Sequence, residues 1–394
     1  MKTKILMTIA LMCAAVQGAW AESVSVTYNR RSWNTETLQV ETTVETCSDY
    51  TLIEGDYSDD WMQLGDTDGQ RHYYVVKDAD VKRKVLVIVG DVRLILCDNA
   101  KIYCNHVKLE VGNTLRIYSQ SDGSDKGVVE VYNKGGWRDH AIYSDAAGIG
   151  SGGDGVYMGS LYVHGGKISV TNGYACNGAG IGGGYNGRIG GEVVVYNGHV
   201  YCDAEAYGAA IGGGKGADQG GEVKVYGGTV EAYAGSYGAG IGGGDEGSGG
   251  KVTIYGGKVT ASSSMKGAGI GGGNEGNGGQ VSIYGGEVYA LGGGQTAWFT
   301  RTLQPAIGGG DDCNSNGTLE LADGMKVKAK EDFSDESNNR VVVTNAERVA
   351  ACQNNEWVNV STCDHTAQNS DAADVVTTYT IDDDVYMTSV AIWL

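Results

Sequence analysis

The sequence predicts an all-β solenoid: a right-handed parallel β-helix of roughly 30-residue coils, with N- and C-terminal caps. Three observations predict it. The first is an A-x-I-G-x-G block that occurs six times. It reads GAGIGGG at Gly178–Gly184, Gly238–Gly244 and Gly267–Gly273, with variants at Ala147–Gly153, Gly208–Gly214 and Pro305–Gly310. Its isoleucines, Ile149, Ile181, Ile211, Ile241, Ile270 and Ile307, stand 32, 30, 30, 29 and 37 residues apart. The second is the run after each block: Val-x-Val/Ile, then Tyr or His, usually Gly-Gly, then Val/Ile-x-Ala. The third is composition, with 66 glycines, one proline and two phenylalanines in 394 residues. That fits neither an ordinary globular domain nor collagen, whose glycine recurs at every third position.

Within one unit, apolar residues two apart mark strands, as in Val252-Thr253-Ile254 and Val259-Thr260-Ala261. Gly256-Gly257 between them lets the chain turn where side chains would clash. Each unit so yields short strands joined by glycine corners. One unit buries too few side chains to fold alone, so stacking in register must supply the core. The glycine block also satisfies G-x-G-x-x-G, the dinucleotide-binding pattern. That pattern needs a helix after the glycines to hold a pyrophosphate, and here Gly, Asp and Asn lead into another strand.

Lys2 and Lys4 precede an apolar run from Ile5 to Val16, and Ala19-Trp20-Ala21 is a small-x-small cleavage site. Residues 1–21 therefore read as a secretory signal peptide, with the mature chain starting at Glu22 and a secreted or cell-surface destination. No later apolar run has the length of a membrane span. Residues 22–75 lack the repeat and read as an N-terminal β cap, with Trp33, Trp61 and Cys47 as a small core. Residues 76–333 read as the β-helix, its glycine-rich coils running from about 136 to 312. Residues 334–394 are poor in glycine and read as a C-terminal cap or small appended domain. The net charge of −19 argues against nucleic acid and anionic membrane as partners. Outside the leader stand Cys47, Cys97, Cys104, Cys176, Cys202, Cys313, Cys352 and Cys363, an even set that suggests disulfides in an exported chain. Cys202 falls in the slot of Ala232, Ala261 and Ala290, so it is either a bridge or a small core residue.

Three kinds of site are open. By alternation, His164, Tyr196, Tyr226, Tyr255 and Tyr284 point outward, one per coil. Such a row either stacks against sugar rings or stabilises neighbouring coils. Asp245, Glu246, Glu275, Asp311 and Asp312 follow the glycine blocks and either gather calcium or form solvated corners; Asp154 stands in the same region. No other cofactor is expected. A catalytic site needs unique carboxylates or a base focused in one groove, and the repeat positions offer none. The least repetitive polar cluster is Arg138-Asp139-His140 with Asp145, which reads as local turn chemistry.

GDVRLILCDNAKIYC, then LRIYSQSDGS, then tandem GAGIGGG with GGxVxIYGGxVxA resemble a family of secreted, Bacteroidales-like glycine-rich repeat proteins. The resemblance covers most of the mature chain. It implies a parallel β-helix, export, and carbohydrate-binding or adhesin-like activity, in some cases with calcium. Arg348 to Cys352, followed by Cys363-Asp364-His365, is similar to that family's tail, which continues into further His and Cys residues that are missing here. A Cys352–Cys363 disulfide is the expectation, because zinc would lack a fourth ligand. Together these readings make the chain a non-catalytic binder of extracellular polysaccharide or host glycan. A polysaccharide lyase or glycoside hydrolase on a β-helix is the alternative, and a ligand-free surface spacer the third.

Overall fold

The computed structural model describes residues 25–133, 144–174, 176–296, 301–315, 317–322, 326–335, 340–342, 347–353, 356–359, 376–380 and 386–393. The expected signal peptide at residues 1–21, Arg138-Asp139-His140, Cys363 and His365 lie outside them, as does the side chain of Cys352. Among the described residues all the regular elements are strands, and the chain is a parallel β-helix with three ladders.

The first ladder carries the Val-x-Val/Ile segments. It runs from Thr51–Ile53 through Arg71–Val76, Asp91–Leu96 and Thr114–Ser119 to the repeats, and ends at Thr318–Ala322. Leu161, Val193, Val223, Val252, Val281 and Leu319 lie one above another. The second ladder carries the strands after the Gly-Gly corner, from Asp56–Gly65 to Glu287–Leu291, and stacks Val170, Cys202, Ala232, Ala261 and Ala290. The third consists of two-residue Ile-Gly strands. The six isoleucines of the glycine blocks stack in unbroken register, and the first of them pairs with Val107 of the preceding coil. In the coil below, Lys101–Lys108 serves the second and third ladders as one strand. The 37-residue spacing before Ile307 holds an inserted antiparallel pair, Gly294–Thr296 with Arg301–Leu303.

The glycine corner has a steric cause. Gly182, Gly212 and Gly242 have φ of 148°, 148° and 140°, and a Cβ there would stand 1.9, 1.9 and 2.0 Å from the carbonyl oxygen of the next coil. No side chain fits this position, so the coils approach through bare backbone. Inside, the stacked Val, Ile and Ala side chains form one continuous core.

The N-terminal cap differs from the sequence expectation. The coils begin before residue 76, because Thr51–Ile53 pairs in parallel with Tyr74–Val76 and Asp56–Gly65 with Lys82–Val89. These early coils use buried aliphatics such as Ile53 and Leu64 in place of glycine, which hides them from a glycine-based period. The expected core of Trp33, Trp61 and Cys47 does not form. Trp61 is 59% exposed, Cys47 joins the main core, and Trp33 packs against the repeats. What remains of the cap is a hairpin, β1 (Val26–Asn34) and β2 (Gln39–Cys47), joined to the first ladder by the single pair Asn29–Ser119. At the other end Val376–Thr380 pairs antiparallel with Thr318–Ala322, and Tyr386–Trp393 with Glu287–Leu291. Reversed strands there pair with edges that a further coil would otherwise extend.

The cysteines also differ. Cys47, Cys97, Cys104 and Cys202 are free and buried, so none forms a disulfide. Cys202 is a core residue whose thiol donates to the Ala210 carbonyl at 2.9 Å, and burial raises its pKa. Its neighbours in the column are Val170 and Ala232, so no second thiol stands above or below it.

Candidate functional site

The five ring residues do form a row, and its geometry differs from an open platform. Each follows an inward apolar residue of the first ladder, so the register places them above one another. Neighbouring centroids are 5.0 Å apart for His164–Tyr196, 5.2 Å for Tyr196–Tyr226, 4.7 Å for Tyr226–Tyr255 and 5.2 Å for Tyr255–Tyr284. The planes lie within 8° to 24° of parallel. The rings therefore use their faces on each other, as cross-strand aromatic pairs do. Tyr118 extends the row, stacked on His164 at 4.5 Å. The Leu115-Arg116-Ile117-Tyr118 pattern was the available signal for it, since it repeats Val-x-Ile-Tyr before the glycines begin.

The hairpin covers much of this row. Tyr28 meets the Tyr118 ring edge-on at 4.8 Å, and Trp33 lies over Tyr226 at 4.8 Å and Tyr255 at 5.2 Å. Between them the Arg31 backbone N–H donates to His164 Nδ1 at 3.2 Å. The Arg31 guanidinium donates to the His164 carbonyl and pairs with Asp122. His164 is thus 5% exposed, and burial pushes its pKa down to about 3. Acceptance at Nδ1 leaves the proton of the neutral ring on Nε2. Successive contacts from Tyr28 to Trp33 meet successive coils from Tyr118 to Tyr255, so β1 runs along the solenoid axis. Of the five predicted residues, Tyr284 has neither Trp33 nor a further ring on its outer face: the next position in register is Ala322.

The acidic corners do not converge. Asp245 is buried, paired with Lys215 at 2.9 Å, and accepts from Asn274 at 2.9 Å. Asp311 pairs with Lys266 at 3.2 Å. Glu246, Glu275 and Asp312 share a backbone state, with φ of 67°, 60° and 58°. Asn186 (55°), Gly155 (68°) and Gly216 (73°) fill the same turn position. The repeated feature is a left-handed turn residue rather than a ligand oxygen. Among the described residues no group of three or more His, Cys, Asp or Glu is arranged to hold a metal. Glu246→Gly is accordingly expected to raise stability by about 1 kcal/mol, because glycine has no Cβ penalty there. A chemical melt checks it; a loss of stability would show that the Glu246 side chain matters.

Sequence reasoning overlooked the outer face of the second ladder. There the residues between Val200, Cys202 and Ala204, and between Val230, Ala232 and Ala234, point out. The register sets Tyr201 beside Glu231, and Asp203 beside Tyr233, in a two-by-two checker of rings and carboxylates. Tyr201 and Tyr233 are tilted by 50° at 5.7 Å, so neither covers the other's face. Burial, aided by the Glu205 charge, raises the Asp203 carboxyl pKa, and Glu231 lies 3.6 Å from His199 Nε2. Tyr132 and Tyr289 continue the face and are 49% and 58% exposed. The signal was available in Val200-Tyr201-Cys202-Asp203 and Glu231-Ala232-Tyr233, whose intervening residues are all polar or aromatic.

Stacked parallel ladders define the fold class, a parallel β-helix. A family model described as a β-helix repeat matches residues 161–185, 223–245, 252–274 and 281–311, all within the glycine coils. No curated protein and no solved structure matches the chain.

Proposed function

We propose that the protein is an exported, non-catalytic glycan-binding β-helix, adhesin-like in role, that takes extracellular polysaccharide or host glycan on the outer face of its second ladder. The carrying observation is the checker of Tyr201, Asp203, Glu231 and Tyr233. Half-buried tyrosines whose rings do not stack on each other suit the apolar faces of sugar rings, and adjacent carboxylates accept from their hydroxyls. Spacing along a ladder suits an extended polymer, because each coil presents its side chains about 4.8 Å from the last. The leader sequence and the likeness to secreted repeat proteins support the destination. The stacked first-ladder row serves the fold, because its ring faces, apart from the outer face of Tyr284, are already occupied.

A glycan array tests this with and without calcium. Tyr201→Ala with Tyr233→Ala is expected to weaken binding about tenfold or more, since each aromatic–sugar contact resembles an aromatic stacking pair in scale. Tyr284→Ala should leave binding intact. Unchanged binding in the double variant removes the second-ladder site, and loss only in the Tyr284 variant returns it to the first-ladder row. The raised Asp203 carboxyl beside a His199-linked Glu231 favours the enzymatic alternative as a second reading. Release of reducing ends or unsaturated products from a bound polysaccharide would establish that reading instead.

A further inference from the structure

The molecule has a second opening, at the N-terminal end of the solenoid and remote in the chain from the second-ladder checker. Residues Thr46–Thr51, which leave β2 and enter the first coil, and Arg71–Tyr74 enclose a cleft of about 390 Å³. That volume falls in the range of small-ligand sites. Thr51–Ile53 pairs only with Tyr74–Val76, so Arg71, His72 and Tyr73 have no strand beyond them on this side among the described residues. Their backbone forms an open edge within the cleft.

Arg71 has no carboxylate partner among the described residues. Arg30, Arg31, Arg93, Arg116 and Arg188 each pair with an Asp or Glu. Arg71 is exposed and lines the cleft, and among the described residues it has no ion-pair partner. An exposed guanidinium without a carboxylate partner is a local place for an anion. The guanidinium fork matches a carboxylate through two parallel hydrogen bonds. The remaining lining is rich in hydroxyls and rings: Tyr50, Tyr73 and Tyr74 with Thr46, Ser48 and Thr51. Asp49 lines it too and can accept from ligand hydroxyls. His72 is held by Asp68 at 2.9 Å, which leaves Arg71 as the available cation of this pair.

We infer that this cleft is a separate binding site for a carboxylate-bearing sugar, a hexuronate or comparable sugar acid, with Arg71 gripping the carboxylate. The exposed hydroxyls of Thr46, Ser48 and Thr51 and the Asp49 carboxylate around one fork favour a polyhydroxylated ring over a peptide carboxylate. The site does not depend on the second-ladder face, and either can fail alone.

Calorimetric titration of the mature chain with a hexuronate trisaccharide tests it, beside the same trisaccharide with its carboxyls reduced to alcohols. The acid sugar is expected to bind about tenfold to a hundredfold more tightly than the reduced one. Arg71→Ala should remove that difference, and Arg71→Lys should keep part of it, since an ammonium retains charge without the fork. Arg71 is exposed, so both variants should melt with the wild type. Tyr201→Ala with Tyr233→Ala should leave acid-sugar binding at the cleft unchanged. No binding of the acid sugar, equal binding of the reduced sugar, or unaltered binding by Arg71→Ala overturns the assignment. So does equal affinity for a tripeptide through its terminal carboxylate.

Discussion

Gly242→Ala is expected to destabilise the chain by about 3 kcal/mol or more and to prevent accumulation of a folded product at physiological temperature. Two costs add. At φ of 140° an L side chain meets its own backbone, and the new Cβ would stand 2.0 Å from the Gly271 carbonyl oxygen. That oxygen cannot move away freely, because it accepts from the Gly243 N–H at 2.9 Å in the inter-coil ladder. The coils must separate locally, and a solenoid transmits such a break to both neighbours. Gly153→Ala is the matched control. A Cβ there meets nothing within 4 Å, and the change should stay within about 0.5 kcal/mol. Paired urea melts check both. Equal effects at the two positions would mean that glycine content, and not the corner, governs stability.

The second expected result is acid lability that starts well above the carboxylate range. Burial holds His164 near a pKa of about 3 and His106 near about 4. Both are kept neutral, and His106 Nδ1 donates to the Ala147 carbonyl at 2.7 Å. The folded values lie below the unfolded imidazole value of about 6.5, so the unfolded chain binds more protons on acidification. Stability from these groups is present above about pH 6.5 and falls as pH drops toward the folded values. By about pH 4.5 each should have cost about 2–3 kcal/mol. Glu45 and Glu192, whose pKa values are lowered by hydrogen bonds and charges that outweigh their burial, add losses only at lower pH. Denaturant midpoints from pH 7 to 4.5 measure the slope. His164→Gln should flatten it by roughly half over that window. A slope unchanged in that variant, and also in His106→Gln, would show that neither ring is the sensor.

Much of the fold was legible in the chain because it is local and repeated. The near-30-residue spacing gave the coil length, and the stacked isoleucines reproduce it pair by pair. Alternation placed Val252 and Ile254 inward, and the Cys202 slot in the alanine column. Alternation was a weaker guide outside the core. Val194 and Thr253 stand in outward register yet are 2% and 4% exposed, because neighbouring coils crowd the surface of a stack. The acids of the turns were legible as residues but not as a conformation. Their shared positive φ is a backbone property that Gly155, Asn186 and Gly216 meet with different side chains.

The sequence by itself determined the period, the register, the inward columns and the glycine corner, since each follows from contacts between like positions of adjacent repeats. Only the tertiary structure decided which surfaces remain open. Trp33 reaches Tyr226 and Tyr255 across roughly half of the chain, and Arg31 reaches His164. Neither contact has a counterpart in the repeat, so no periodicity announces it. The physical reason is that stacking is enforced in every coil by the same hydrogen bonds. The hairpin is positioned once, by a few side chains that meet residues of several stacked coils. That single placement covers most of the first-ladder ring row, which the repeat alone would leave exposed.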